Sequence, residues 1–250
     1  MGAGLVGGGG TTWASHSILT KNYYLFSKKT TMKYAIRIID FNFKEELKIS
    51  FDVSQESLFT YFLCQDKTML FNGWSEVGLL DNYVLYLSKK TEYSKAEAEQ
   101  RLICIIGFCV DSKGHIMNDI PAYILQNSVN IEEVISIEKR LAGKYVLLYA
   151  ESKKLYVIGD ATCSIQINYS TGVKTVVSSS ADMVAQYCGY EYGERNLAIR
   201  KSSDLSQAMP NNITLFDGVK QLLPNEYYSA FEGRSFKINT REYRSNSWKT

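Results

Sequence analysis

Between Lys144 and Ser178 four apolar segments follow one another with almost no chain between them: residues 145–149, 155–158, 164–169 and 173–178. The corners at 151–153 and 171–172 hold two or three polar or small residues each. A parallel crossover needs about a dozen connecting residues, so neighbours this close must run antiparallel. This half of the chain therefore cannot be a parallel α/β fold.

Period-two alternation continues the reading on either side. Tyr34, Ile36 and Ile38, then Leu47, Ile49, Phe51 and Val53, alternate with other residues and predict a hairpin turning at 43–46. Residues 68–71 and 83–87 read as short strands, and the dense apolar run 102–110 as a strand covered on both faces. Residues 91–101, rich in Ala, Glu and Lys, predict an exposed helix. A second helix is expected over 130–142, with Asn130 as N-cap, Glu133 at capping-box spacing and Gly143 as a left-handed stop. Ser180 caps a third, whose Met183, Val184 and Tyr187 share a side. The polar stretch 194–212 reads as a long surface loop; 213–216 reads as a strand before the Asp217-Gly218 turn, and the last hairpin turns at Glu232-Gly233. Short antiparallel strands interleaved with a few helices make an α+β layered domain.

A net charge of +2, from 28 basic and 26 acidic residues among 250, supplies no field for nucleic acid or an anionic membrane surface. Cys64, Cys104, Cys109, Cys163 and Cys188 are odd in number, contain no Cys-x-x-Cys pair and lie mostly in apolar runs, which reads as reduced thiols in a cytoplasmic protein. His16 and His115 stand far apart and away from cysteines at ligand spacing, so no metal site is expected. Residues 2–7 spell Gly-x-Gly-x-x-Gly, but no strand delivers that loop and no helix receives it, as dinucleotide binding requires. Asn168 and Asn212 sit in glycosylation sequons, a pattern that recurs by chance. The Gly- and Ser/Thr/Lys-rich residues 1–31 are expected to be a disordered leader, with Met32 as a natural start.

The run LAGKYVLLYAESKKLYVIGDATCSIQINYSTGVKTVVSSSADMVAQ (141–186), with ITLFDGVKQLLPNEYYSAFEGRSFKI (213–238), resembles the end of the class II glutamine-amidotransferase domain that precedes the synthetase domain in asparagine-synthetase-like proteins. The likeness lies in the order of its parts. A Leu-x-Gly-Lys-Tyr-Val strand is followed by a strand ending at Asp160-Ala161, a strand with Tyr169, a strand ending in serines and a Leu-Leu-Pro-Asn turn at 222–225. It covers residues 101–243 well and 32–100 weakly. What it implies is an N-terminal-nucleophile (Ntn) hydrolase-like fold, a four-layer αββα sandwich of two antiparallel sheets. The amidotransferase-like domain would span 32–243, and 244–250 would begin a linker to a synthetase domain. Asp160, ending a strand, and Asn225, shaping a turn, match the family pattern most closely and are expected to be structural.

Glutaminase members of that family start at a cysteine whose free α-amine, of pKa about 7.7–8.0, takes the thiol proton. Gly2 stands after the initiator methionine here, and an internal cysteine has its nitrogen locked in an amide. No Arg-Gly pair occurs, Asn72-Gly73 is followed by Trp74 instead of Glu, and Gly114-His115-Ile116-Met117-Asn118-Asp119 occupies the expected oxyanion segment. Residues 178–182 carry serines without the glycines of a pyrophosphate loop and read as a strand end plus helix cap. Loss of a nucleophile lowers kcat by about six orders of magnitude.

The sequence therefore predicts no catalytic, cofactor-binding or metal-binding residue and no cofactor: a pseudoenzyme-like structural half. Its partner would be an asparagine-synthetase-like ATP-binding domain or protein, with a homodimer left open and neither nucleic acid nor membrane expected. Two alternatives stand beside this reading. One is an active glutamine-hydrolysing asparagine synthase-type fragment whose processing exposes Ser17, Thr30 or Thr31. The other is an aromatic-rich protein-binding module using Tyr187, Tyr190 and Tyr192.

Overall fold

The computed structural model describes residues 59–65, 73–80, 83–112, 118–202 and 209–238, together with the backbone of 35–36, 50–52 and 70–71. Labels run in chain order. One six-stranded sheet has the order β15-β14-β10-β9-β8-β7, from β7 (Tyr93–Ala98), β8 (Arg101–Asp111), β9 (Leu141–Glu151), β10 (Lys154–Gly159), β14 (Glu226–Ser229) and β15 (Arg234–Lys237). The other has the order β13-β11-β12-β3-β6-β5, from β3 (Tyr61–Cys64), β5 (Ser75–Gly78), β6 (Val84–Leu87), β11 (Asn168–Ser170), β12 (Val176–Ser178) and β13 (Val219–Gln221). Every pairing in both is antiparallel. Three short backbone segments, β1 (Ala35–Ile36), β2 (Ser50–Asp52) and β4 (Leu70–Phe71), form a separate small sheet. The β1–β2 pair matches the predicted N-terminal hairpin; its corner at 43–46 lies outside the described residues.

Alternation along the strands builds three apolar clusters. Tyr61, Leu63, Leu85 and Leu87 of one sheet meet Leu102, Cys104, Ile106, Val146, Leu148 and Val157 of the other, so the two sheets share one core. The opposite face of the first sheet, through Ile103, Ile105, Tyr145 and Leu147, packs under α1 (Ile120–Gln126) and α2 (Ile131–Glu138). The outer face of the second, through Phe62, Cys64, Val84 and Val176, packs under α3 (Ala181–Cys188). The chain is thus α+β, with two stacked antiparallel sheets and few helices. Among the described residues no helix is long and apolar enough to cross a membrane.

The four closely spaced segments do form antiparallel hairpins, β9–β10 and β11–β12, but the hairpins belong to different sheets. Residues 160–167 carry the chain across, and of the predicted strand 164–169 only its end is paired. Residues 91–101 are not a helix. Their Ala, Glu and Lys occupy the edge strand β7, where Ser94 and Ala96 turn inward and Lys95 and Glu97 outward. Pairing with the apolar β8 outweighs the weak helical preference, and charges suit an exposed sheet edge.

Helix α2 also ends earlier than predicted, because residues 141–144 already pair with β8. Its start follows the sequence: the Asn130 side chain accepts from the Glu133 amide at 2.9 Å, and Glu133 reaches back to the Val129 amide at 2.8 Å. Gly143 is a strand residue with φ +148, and a Cβ there would lie 2.2 Å from the Phe108 carbonyl oxygen. Part of the predicted 194–212 loop is helical, α4 (Glu194–Ser202), and 213–216 makes only isolated bridges. Helix α1 and strands β3 and β5 carry too few residues to show a period in the sequence.

Gly107 shapes the end of the shared core. It lies mid-strand at φ +97, and a Cβ would stand 2.3 Å from the Lys144 carbonyl oxygen. Gly107→Ala should therefore destabilise the domain by about 2–4 kcal/mol, read as a lower denaturant midpoint with the m-value unchanged.

Candidate functional site

Strands β8 and β9 have 11 residues each, whereas β3 and β6, facing them across the core, have four. At about 3.3 Å per residue the long pair overhangs the short pair. The long pair therefore runs past the short pair at one end of the core. Near that end lie Phe59, just before β3, Gly107 and Phe108 of β8, Lys144 of β9, and residues 160–165 after β10. The Lys144 ammonium lies 5.0 Å from the centre of the Phe59 ring, Phe108 is directly across from Lys144, and Phe108 is 52% exposed. Ile165 approaches Gly107, and the Tyr61 phenol donates to the Gln166 carbonyl at 3.2 Å.

Asp160 ties residues 160–164 to β9. Only 3% exposed, it accepts from the Thr162 amide (3.0 Å) and hydroxyl (2.8 Å), the Ser164 amide (3.1 Å) and hydroxyl (3.0 Å), and the Tyr145 amide (3.4 Å). Burial pushes its pKa up, but the bonds from Thr162 and Ser164 outweigh that and hold the carboxyl below its ordinary value. Below it the Tyr145 phenol donates to the buried Glu138 carboxylate at 2.7 Å. Burial raises the Glu138 pKa, against the lowering effect of that bond.

Cys163 sits in the same loop at φ +50, its amide donating to the Asp160 carbonyl at 2.8 Å. Burial, helped by the Asp160 charge, lifts its thiol to about 12. Cys104 and Cys109 are likewise lifted to about 12, and Cys188 is raised, in each case chiefly by burial. A nucleophilic cysteine needs the opposite shift. The five cysteines are also scattered. Cys64 packs under α3, Cys104 lies between the sheets, Cys109 lies under α1 and α2, Cys163 is in the loop after β10, and Cys188 ends α3. All five are free thiols. Among the described residues no three His, Cys, Asp or Glu side chains stand where they could hold a metal ion.

The remaining sequence expectations divide cleanly. Asp160 directly follows β10, and Asn225, at φ +62, shapes the turn before β14, as the sequence predicts for both. Ser178 ends β12 and Ser180 precedes α3, a strand end plus helix start; Ser180 makes no side-chain cap bond, and the Ser178 hydroxyl accepts from its amide at 3.1 Å. Asn168 is 2% exposed inside β11, which closes that sequon to glycosylation. Tyr187 packs edge-on against Phe62, and Tyr190 is half-buried against Gly172 and Gly218. Tyr192, 38% exposed, stacks on Phe216, so the three tyrosines form no open contact patch. Gly2, residues 2–7, His16, Ser17, Thr30, Thr31, Asn72 and His115 lie outside the described residues.

Lys144, Phe59 and Phe108 were not singled out by sequence reasoning. A lone glycine inside the apolar run 102–110 was the available signal, since it marks close backbone approach. The Asp-x-Thr-x-Ser spacing at 160–164 was the second, because an aspartate followed by hydroxyl residues invites an Asx-type turn. No protein-family model matches the chain, and no curated protein does.

Two substitutions separate the roles of the buried acids. Asp160→Asn should cost about 2–4 kcal/mol at pH 7, because one oxygen cannot replace two charged ones. Its lowered folded pKa means the stabilisation is present above the unfolded value of about 3.9 and vanishes as pH falls through the folded value. Acid unfolding curves of wild type and variant should converge there. Glu138 has the opposite sign: its folded pKa is raised, so stability declines as pH climbs above about 4.3 until the folded value is passed. Glu138→Gln keeps an oxygen for Tyr145 and should be as stable as wild type at pH 7, or more so, in thermal melts.

Proposed function

We propose that the chain is a degenerate class II amidotransferase-like domain of the Ntn-hydrolase sandwich type, serving as a non-catalytic structural and docking half for an asparagine-synthetase-like, ATP-dependent amide-forming domain. The observation that carries this reading is the chemistry of residues 160–164, where the chain crosses between the two stacked sheets. The Asp160 carboxylate there is buried, its lone pairs taken up by Thr162, Ser164 and Tyr145, beside a thiol lifted to about 12. A carboxylate so committed positions a loop and has little capacity left for a substrate proton, and a protonated thiol does not attack an amide. Lys144 and two phenyl rings add charge and apolar surface without a general base. The ordered motifs of residues 141–186 and 213–238 support the family part of the reading.

Incubation with glutamine tests it. The expected result is no ammonia above background and no covalent adduct with a thiol-directed glutamine analogue. Release of ammonia, or labelling of a terminal Cys, Ser or Thr in the cellular protein, would refute the proposal and favour the active-fragment alternative.

A further inference from the structure

We propose that α2 closes on the first sheet as a proton-controlled clasp: with Glu138 neutral the helix's last turn holds Tyr145 and covers Cys109, and ionisation of Glu138 releases that turn. Tyr145 is gripped at both ends by carboxylates. Its phenol donates to Glu138 at 2.7 Å and its amide to Asp160 at 3.4 Å, so α2, β9 and the loop after β10 meet on one residue. Both acids are buried, but they are provided for differently. Thr162 and Ser164 each give Asp160 an amide and a hydroxyl, which hold its charge in place, whereas Glu138 relies on the Tyr145 phenol.

Three features of the fold oppose a charge on Glu138. Burial takes away its water. Its place as the last residue of α2 sets it among the terminal carbonyls, at the negative end of the helix. Asp160, kept ionised, adds a like charge on the other side of Tyr145. Of the cations nearby, the exposed Lys139 favours ionisation, while Arg140 directs its Nη2 to the Tyr123 hydroxyl of α1 at 3.3 Å. Helix α1 itself brings no charged side chain. From β8 come Cys109, near enough for its charge to bear on Tyr145, and Asp111, which bears on Cys109; from the loop comes Cys163. Both thiols are lifted to about 12 and are uncharged at neutrality. Burial outweighs the Tyr145 bond and Lys139, so the folded pKa of Glu138 is raised. A neutral Glu138 keeps the contact, because a protonated carboxyl both accepts from a phenol and donates to one. The turn to be released buries little besides Ile137, while Ile131 and Val134 hold the capped start of α2 in place, so the opening is local. A raised folded value means closure is strongest below the free value of about 4.3 and weakens as pH rises through the folded one.

The test is the rate at which dithiodipyridine, which reacts with thiols in acid as well as at neutrality, modifies each cysteine of the full chain, followed by peptide mass spectrometry from about pH 4.5 to about pH 7.5. Dividing the wild-type rate by that of Glu138→Gln at each pH cancels the thiol's own pH dependence. For Cys109 that ratio should rise at least about threefold and then level off. Cys64, under α3, and Cys104, between the sheets, should show a constant ratio. A flat ratio at Cys109 overturns the proposal, and so does an equal rise at Cys64 and Cys104, which would mean that the whole domain opens. Should Glu138→Gln melt below wild type, the wild-type rates decide: a Cys109 rate that fails to gain on those of Cys64 and Cys104 with rising pH overturns the clasp.

Discussion

Everything in this fold follows from two sheets having to bury one face each against the other. Residues such as Leu63 and Leu85 on one side and Leu148 and Val157 on the other can leave water only if the chain passes from the first sheet to the second. One of its passages lies between β10 and β11, and at that point backbone amides lose their sheet partners. Asp160 supplies what they lack by collecting the amides of Thr162, Ser164 and Tyr145 on one carboxylate. Burying an unpaired charge would be ruinous there, but this one is surrounded by donors, so it stays ionised and fixes the crossing. The left-handed φ of Cys163 is part of the same tight path.

The uncovered end of the long strand pair is a consequence of strand length. An 11-residue strand laid over a four-residue strand leaves its ends uncovered, and what projects there is decided by alternation and by Gly107. Before Gly107, even-numbered β8 residues face the shared core and odd-numbered ones face the helices; Cys109 beyond it still joins the helix-side cluster, which leaves Phe108 opposite Lys144 at the open end. The charged group at that end is thus a lysine near a phenyl ring, and behind it burial raises the pKa of Glu138 and Cys163 while hydrogen bonds hold Asp160 below its ordinary value.

Much of this architecture was legible because it was written in local terms. The capped start of α2 at Asn130, the hairpin at Glu232-Gly233 and the turn at Asn225 each depend on residues within a few positions of one another. The failures share the opposite property. Residues 93–98 have the composition of a helix and become a strand only because β8 offers a partner, and Gly143 reads as a helix stop until Phe108 comes against it. The β9–β10 and β11–β12 hairpins were readable as hairpins, but their assignment to separate sheets is set by which cores they complete. At the site the polarity is the same: Asp160 was foreseen as a structural strand end from the family pattern, while Lys144 and Phe59 stand 85 positions apart and left no local trace.

The outer faces of the two sheets are finished differently. Helix α3 lies across β11 and β12, so the second sheet is largely sealed by Met183, Val184 and Ala185. On the first sheet α1 and α2 seal the β7–β9 half with Ile120, Ile124 and Val134. Beyond them the sheet is finished with tyrosine and phenylalanine instead of aliphatic residues. Aromatic rings with polar edges are suited to a surface that is dry on one side and wet or paired on the other. Tyr227 and Phe236 meet ring to ring there, and the Arg234 guanidinium lies between the Phe236 ring and the Glu232 carboxylate, so this half of the face combines apolar area with paired charge.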